Sequence, residues 1–270
     1  MAGHRRLLAA VLVISAVFPA ASIFGQYSQV VIYGSTTCIS SFLEPGAAEL
    51  EKDTGIMLKT VGTGTGQGLF ALIQGLVEVS AASEPLDEAI KSAKKFAATK
   101  KMDTLAIPDN LEFHKIMDDE IVAIVHRENP VTSLTWQQLK GLCTGAIKNW
   151  KEVGGLDMPV KIVTSHSGSA TRQFFQKTVM EGAPYDPSAI TVNPTAREIE
   201  MVSRDIGAIG AVSMMFYVKF PQNTKALHTE RIVRPLGLIT RGKPSEKVHK
   251  VISFFTKGNG RKYTQMPVGR

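Results

Sequence analysis

Residues 57–76 read Met57-Leu-Lys-Thr-Val-Gly-Thr-Gly-Thr-Gly-Gln-Gly-Leu-Phe-Ala-Leu-Ile-Gln-Gly-Leu76. Met57 to Thr60 reads as a short strand and Gln67 to Leu76 as a helix. Between them lies Gly62-Thr-Gly-Thr-Gly-Gln-Gly68, a turn built from glycine and hydroxyl side chains. A strand that passes through such a turn into a helix is the repeating unit of an α/β fold.

Upstream, Val30 to Tyr33 reads as a strand, Gly34-Ser-Thr-Thr37 as its turn, and a helix runs through Ala47 to Lys52. Downstream come a strand at Val79–Ala82, a helix at Asp87–Ala97 and a strand at Thr104–Ile107. A second segment starts near Phe113, with a strong strand at Ile121–Val125. Thr135 then caps a helix whose Trp136, Leu139 and Leu142 share one face. Val160–Val163 reads as a strand entering Ser165-His-Ser-Gly-Ser-Ala-Thr171, followed by helices at Ala170–Met180 and Glu198–Arg204 and a strand at Ala208–Val212. Past Tyr217 the chain turns polar. Arg234–Ile239 is a last strand, and Pro244 opens a helix with Val248, Val251, Ile252 and Phe255 on a buried face.

The three hydroxyl- and glycine-rich turns each open a helix. The first N–H groups of a helix have no intrahelical partner, and the aligned peptide dipoles place partial positive charge there. Such a turn is an anion site that needs no metal. Each turn could equally be only a capped helix start; three together point to a small oxyanion at the carboxyl ends of the strands.

The first residues read as a secretory signal peptide over residues 1–25. His4, Arg5 and Arg6 precede the apolar run Leu7–Phe18, and the small residues Ala20, Ala21 and Ser22 follow. The run is shorter than the roughly 20 apolar residues of a spanning helix. A mature chain starting near Gln26 carries no cysteine there to take a lipid, so a free periplasmic protein is expected. Loss of Arg5 and Arg6 takes the formal charge from +7 to +5. That modest excess attracts anions without calling for nucleic acid, and Lys94, Lys95, Lys100 and Lys101 read as a solvated helix face.

Other chemistries lack their residues. The glycine turn does not end in the Gly-Lys-Ser/Thr of a P-loop, and no acidic residue completes a dinucleotide fingerprint. Ser167 and Ser169 lie near His166, but no Gly-x-Ser-x-Gly elbow occurs, so no enzyme is expected. The six histidines are dispersed, so neither a metal nor any other cofactor is expected. Cys38 and Cys143 leave a disulfide open.

Several of these segments, in this order, resemble the phosphate-binding family of periplasmic solute-binding proteins, and the resemblance covers nearly all of the chain beyond residue 25. They are Gly34–Ser41, Gly62–Gly68, Ala81-Ala-Ser-Glu-Pro-Leu86, Leu139-Lys-Gly-Leu-Cys-Thr-Gly-Ala-Ile-Lys-Asn-Trp150 ahead of Val153-Gly-Gly155, Gly168-Ser-Ala-Thr-Arg172, and Gly207-Ala-Ile-Gly210. The resemblance implies a type II periplasmic-binding-protein fold of two hinged α/β lobes. Residues 26–110 and 225–270 would form lobe 1 and residues 111–224 lobe 2, the chain crossing near Pro108–Glu112 and returning near Gln222–Arg231. It also implies the ligand, phosphate or a related small oxyanion held between the lobes, and the partner, the membrane permease of an ABC importer, with the binding protein a monomer.

Carried over residue by residue, Ser35, Thr36 and Thr37 would donate from the first turn. Thr63, Gly64 and Thr65 would line the second, and Ser169, Ala170 and Thr171 would close from the other lobe. Ser83 and Glu84 stand where relatives place a Ser followed by an Asp, a carboxylate that can accept a proton from a singly protonated oxyanion. Ser165 stands where the family places an Arg, three residues before the glycine of its Gly-Ser-Gly-Thr turn. Arg172 either compensates from the cleft or faces away from it. Without that Arg, another oxyanion or an organic solute becomes the alternative ligand.

Overall fold

The computed structural model describes residues 28–192 and 196–265, so the signal-peptide reading of residues 1–25 lies outside the described residues. The first lobe opens with β1 (Ser28–Gly34) and a long helical segment made of α1 (Thr36–Cys38), a π-helical stretch at Ile39–Leu43, and α2 (Glu44–Thr54). There follow β2 (Ile56–Gly62), α3 (Thr65–Ile73), β3 (Val79–Ala82) and α4 (Leu86–Thr99). The second lobe holds most of β4 (Leu111–His126), then α5 (Trp136–Thr144), β5 (Lys161–Ser165), α6 (Ala170–Thr178) and β6 (Ile190–Val192). It continues with α7 (Ala196–Val202), β7 (Ala208–Ser213), α8 (Met214–Tyr217) and β8 (Thr224–Ala226). β9 (Ile232–Arg241) returns the chain to the first lobe, where α9 (Glu246–Thr256) packs.

The strands form one path, β2-β1-β3-β9-β4-β7-β5-β6, with β8 on β4. β1 lies parallel to β2 and β3, and β5 parallel to β6 and β7, as strand–helix–strand crossovers require. The long β4 and β9 run antiparallel through the middle and belong to both lobes. The pairing shifts between Lys115 and Met117, a local irregularity in β4.

Four apolar clusters lie two to a lobe, one on each face of its strands. Val30, Ile32, Phe42 and Phe255 represent one first-lobe cluster, and Leu69, Leu72, Ala89 and Ala93 the other. Leu139, Trp150 and Phe175 mark one second-lobe cluster, and Val122, Ile199 and Val212 the other. Met117 and its partner Leu236 pack into the first lobe, whereas Ile121 and its partner Ile232 pack into the second. The double strand therefore changes cores within four residues of each strand, two repeats of its pleat.

Several sequence readings shift. Thr104–Ile107 forms no strand: Leu105 packs beside α3 and α4, and the place next to β3 is taken by β9. The helix read from Gln67 starts at Thr65, inside the glycine turn, and ends at Ile73. The helix read through Ala47–Lys52 starts at Thr36, directly in the first hydroxyl turn. Thr135 caps α5 as expected, with Gln138 completing a capping box. Cys38 and Cys143 are both free and buried, one in each lobe's core.

One contact fixes the second turn. A Cβ on Gly68 would lie 2.5 Å from Gly34 Cα and 2.7 Å from Tyr33 O. Only glycine at residue 68 lets α3 approach the end of β1 this closely, and Gly34 in turn has φ 140° and no room for a side chain against Ala81.

Candidate functional site

The expected turns converge between the lobes. In the first, Ser35 is buried and its hydroxyl accepts from Cys38 N at 3.3 Å, capping the helix start. In the second, Gly64 adopts φ 83° ahead of α3, and the buried Thr65 hydroxyl accepts from Ser83 N at 3.2 Å. In the third, Ser169 caps α6 and Thr171 is buried in its first turn. Thr63, Gly64, Thr65, Glu84 and Ala170 line one interlobe cleft of about 310 Å³.

The residue that joins these turns is Arg234, on β9 at the change of cores. It is fully buried and lies directly across the ladder from Asp119. Its Nη2 donates to Asp119 Oδ2 at 2.9 Å and Nε to the same oxygen at 3.1 Å, while Ser213 Oγ donates to Oδ1 at 2.7 Å. Nη2 also donates to Thr171 Oγ1 at 2.9 Å and Thr37 Oγ1 at 3.4 Å, reaching a helix start in each lobe. Nη1 is buried with no hydrogen-bond partner among the described residues. A buried donor on a charged group that lacks an acceptor is costly, and an anion supplies one.

Two further orphans are close in sequence: Ser83 Oγ and Glu84 Oε1 are buried without partners among the described residues. Burial pushes the Glu84 carboxyl above its ordinary value, against the lowering effects of the Ser92 hydroxyl and the Arg234 charge. Glu84 is thus a buried carboxyl that holds its proton more tightly than a free one.

Two expected contacts are engaged elsewhere. Ser165 is buried at the end of β5, where its hydroxyl donates to Glu198 Oε2 at 2.6 Å. Ala211 N donates to the other Glu198 oxygen at 2.8 Å, and burial pushes this carboxyl to about 7. Arg172 turns back into its own lobe: Nη1 donates to Ser165 O at 2.9 Å, and the guanidinium lies 4.8 Å from the Tyr185 ring centroid. Thr36 is exposed.

Among the described residues, three polar contacts also join the lobes. Lys177 on α6 pairs with Glu88 on α4, which Lys91 also contacts at 2.8 Å. Ser92 donates to Gln173 at 3.4 Å, and Lys219 donates to Ser40 O at 2.8 Å. The arrangement is a closed pair of lobes, latched by polar side chains around the convergent helix starts.

The model of the PBP superfamily domain matches residues 25–259 of this chain. The chain belongs to the PBP superfamily. It is 27% identical over 184 residues to the phosphate-binding protein PstS of Bacillus subtilis, covering 66% of this chain and 56% of that protein. With PstS of Staphylococcus epidermidis it shares 31% identity over 187 residues, 68% of this chain and 52% of that protein. The chain thus spans little more than half the length of these curated relatives. In three dimensions it matches a Clostridium perfringens chain described as a phosphate ABC transporter substrate-binding protein and solved with bound phosphate. That match has a TM-score of 0.73 and 23% identity, and covers 90% of this chain and all of the other. The likeness carries the two-lobed superfamily fold.

Sequence reasoning missed Arg234 and Asp119. The alternation of Ile232, Arg234, Leu236 and Leu238 along β9 was the available signal, since it puts an arginine at an inward position.

Proposed function

We propose that the chain is the extracytoplasmic solute-binding component of an ABC importer, holding phosphate or a related oxyanion between its lobes without transforming it. The observation that carries this reading is Arg234 Nη1, a buried guanidinium nitrogen with no partner among the described residues, set where helix starts from both lobes converge. The names of the PstS relatives support phosphate as the anion.

In this reading the ligand's oxygens take N–H groups from the starts of α3, α6 and the helix after Ser35, together with the Thr37, Ser83 and Thr171 hydroxyls. Arg234 supplies the charge that the family's arginine would bring to the position of Ser165. Glu84 shares the proton of a singly protonated oxyanion, which a fully deprotonated anion lacks.

In this reading the hinge lies where β4 and β9 change cores, at Met117–Ile121 and Ile232–Leu236, between lobes close to residues 26–110 with 225–270 and 111–224. The closed form, acting as a monomer, would dock on the permease. Export by a leader over residues 1–25 to the periplasm completes the reading; no helix among the described residues is long and apolar enough to cross a membrane.

The test is calorimetric titration of protein unfolded and refolded to remove ligand, with phosphate, arsenate and sulfate in turn. One-to-one binding of phosphate and arsenate is expected. Absence of binding by every tetrahedral oxyanion would overturn the reading.

A further inference from the structure

The interlobe cleft is larger than an inorganic oxyanion needs. Its volume of about 310 Å³ corresponds to on the order of ten waters, whereas the five heavy atoms of phosphate fill the space of roughly two or three. A cleft of about 300 Å³ or more is the size of a small organic ligand's site.

Its lining divides by depth. At the buried end lie Thr65 and Glu84, the latter 4% exposed with Oε1 unpartnered among the described residues. Toward solvent the wall from α4 carries Phe96, fixed edge-to-face against Phe70 with centroids 5.2 Å apart. Beside it is Lys95, exposed and without an ion pair among the described residues. The facing wall carries His166 and the half-buried Gln173.

We propose that this cleft admits the organic part of a phosphate monoester bearing a short hydroxylated tail. Its phosphate lies at the Glu84 and Thr65 end, and its tail lies between Phe96 with Lys95 and the His166 wall. Arg234 does not itself line the cleft; the deep end joins the Arg234 site through Thr65, which accepts from Ser83 N, and through Glu84, which lies in the field of Arg234. The three free oxygens of a monoester are thus offered to the α3 start and Glu84 at that junction. The polar wall suits hydroxyls, and the one aromatic surface suits the carbon edge of a small polyol or sugar. The inference rests on the oxyanion-binding reading and names its ligand class.

The experiment is calorimetric titration of the ligand-free protein with inorganic phosphate, sn-glycerol 3-phosphate and glucose 6-phosphate. At least one ester is expected to bind tenfold or more tightly than phosphate. Lys95→Ala and Phe96→Ala, both on the outer wall, are then expected to weaken that ester at least fivefold while phosphate shifts less than twofold. Phosphate bound with both esters equal or weaker overturns the proposal and leaves the oxyanion reading standing. No binding by phosphate or either ester overturns both.

Discussion

Arg234 and Asp119 face each other across the β4–β9 ladder, joined by hydrogen bonds of 2.9 and 3.1 Å, with both side chains fully buried. The pair sits where the two strands leave one core for the other. Asp119 is saturated, since Ser213 occupies its second oxygen. The guanidinium is not, because Nη1 has no acceptor among the described residues. Charge neutralisation by Asp119 lets an arginine be buried at the centre of the molecule, and in the proposed reading the unused nitrogen serves the anion.

Asp119→Ala is therefore expected to destabilise the protein by about 3–5 kcal/mol, the usual effect of stranding one member of a buried pair. Urea denaturation without ligand checks this. Saturating phosphate is expected to restore part of the loss, because the anion supplies the negative charge removed.

Glu198 makes folding stability depend on pH. Its folded carboxyl titrates at about 7 against an ordinary 4.5, so the native state holds the proton more tightly than the unfolded chain. The stabilisation from protonation is full below pH 4.5 and is lost as pH rises toward 7. At about 1.4 kcal/mol per pKa unit, the change amounts to no more than about 3–4 kcal/mol. Denaturation across that window is expected to show stability falling with pH in the parent and a flatter profile in Glu198→Gln.

Gly68→Ala is expected to lower stability by about 1–3 kcal/mol, the range for an overpacked contact. The added methyl meets the backbone of Tyr33 and Gly34, which cannot rotate aside. Because α3 must move, Thr65 moves with it, and phosphate affinity should fall together with the melting temperature.

The parts of the site legible in the sequence are those made by local chemistry. Ser35, Gly64 and Ser169 announce helix starts because a cap acts within three residues of itself, and the helices begin there. What was not legible depends on pairing at long range. Ser165 meets Glu198 across 33 residues and Arg234 meets Asp119 across 115, and no local pattern encodes either register. Thr104–Ile107 misled for the same reason: the segment is apolar enough to be a strand, but β9 arrives from far along the chain to take the edge of β3. The departure at Ser165 raised the question of where a charge would come from; Arg172 is held within its own lobe, and Arg234 is the residue proposed for that role.

Arg172→Ala is expected to change phosphate affinity by less than about fivefold, since the side chain holds Ser165 O and the Tyr185 ring within its own lobe. A small drop in melting temperature, read by thermal unfolding, is the expected main effect.

The most direct measurement is the phosphate dissociation constant of Arg234→Gln against the parent, by calorimetry on refolded, ligand-free protein whose near-ultraviolet circular dichroism confirms the fold. Loss of a charged hydrogen bond worth about 1.5–3 kcal/mol weakens binding roughly 10- to 150-fold, and that is the expected result. Unchanged affinity in folded Arg234→Gln, with binding abolished in Arg172→Ala instead, would contradict the assignment of Arg234 to the anion.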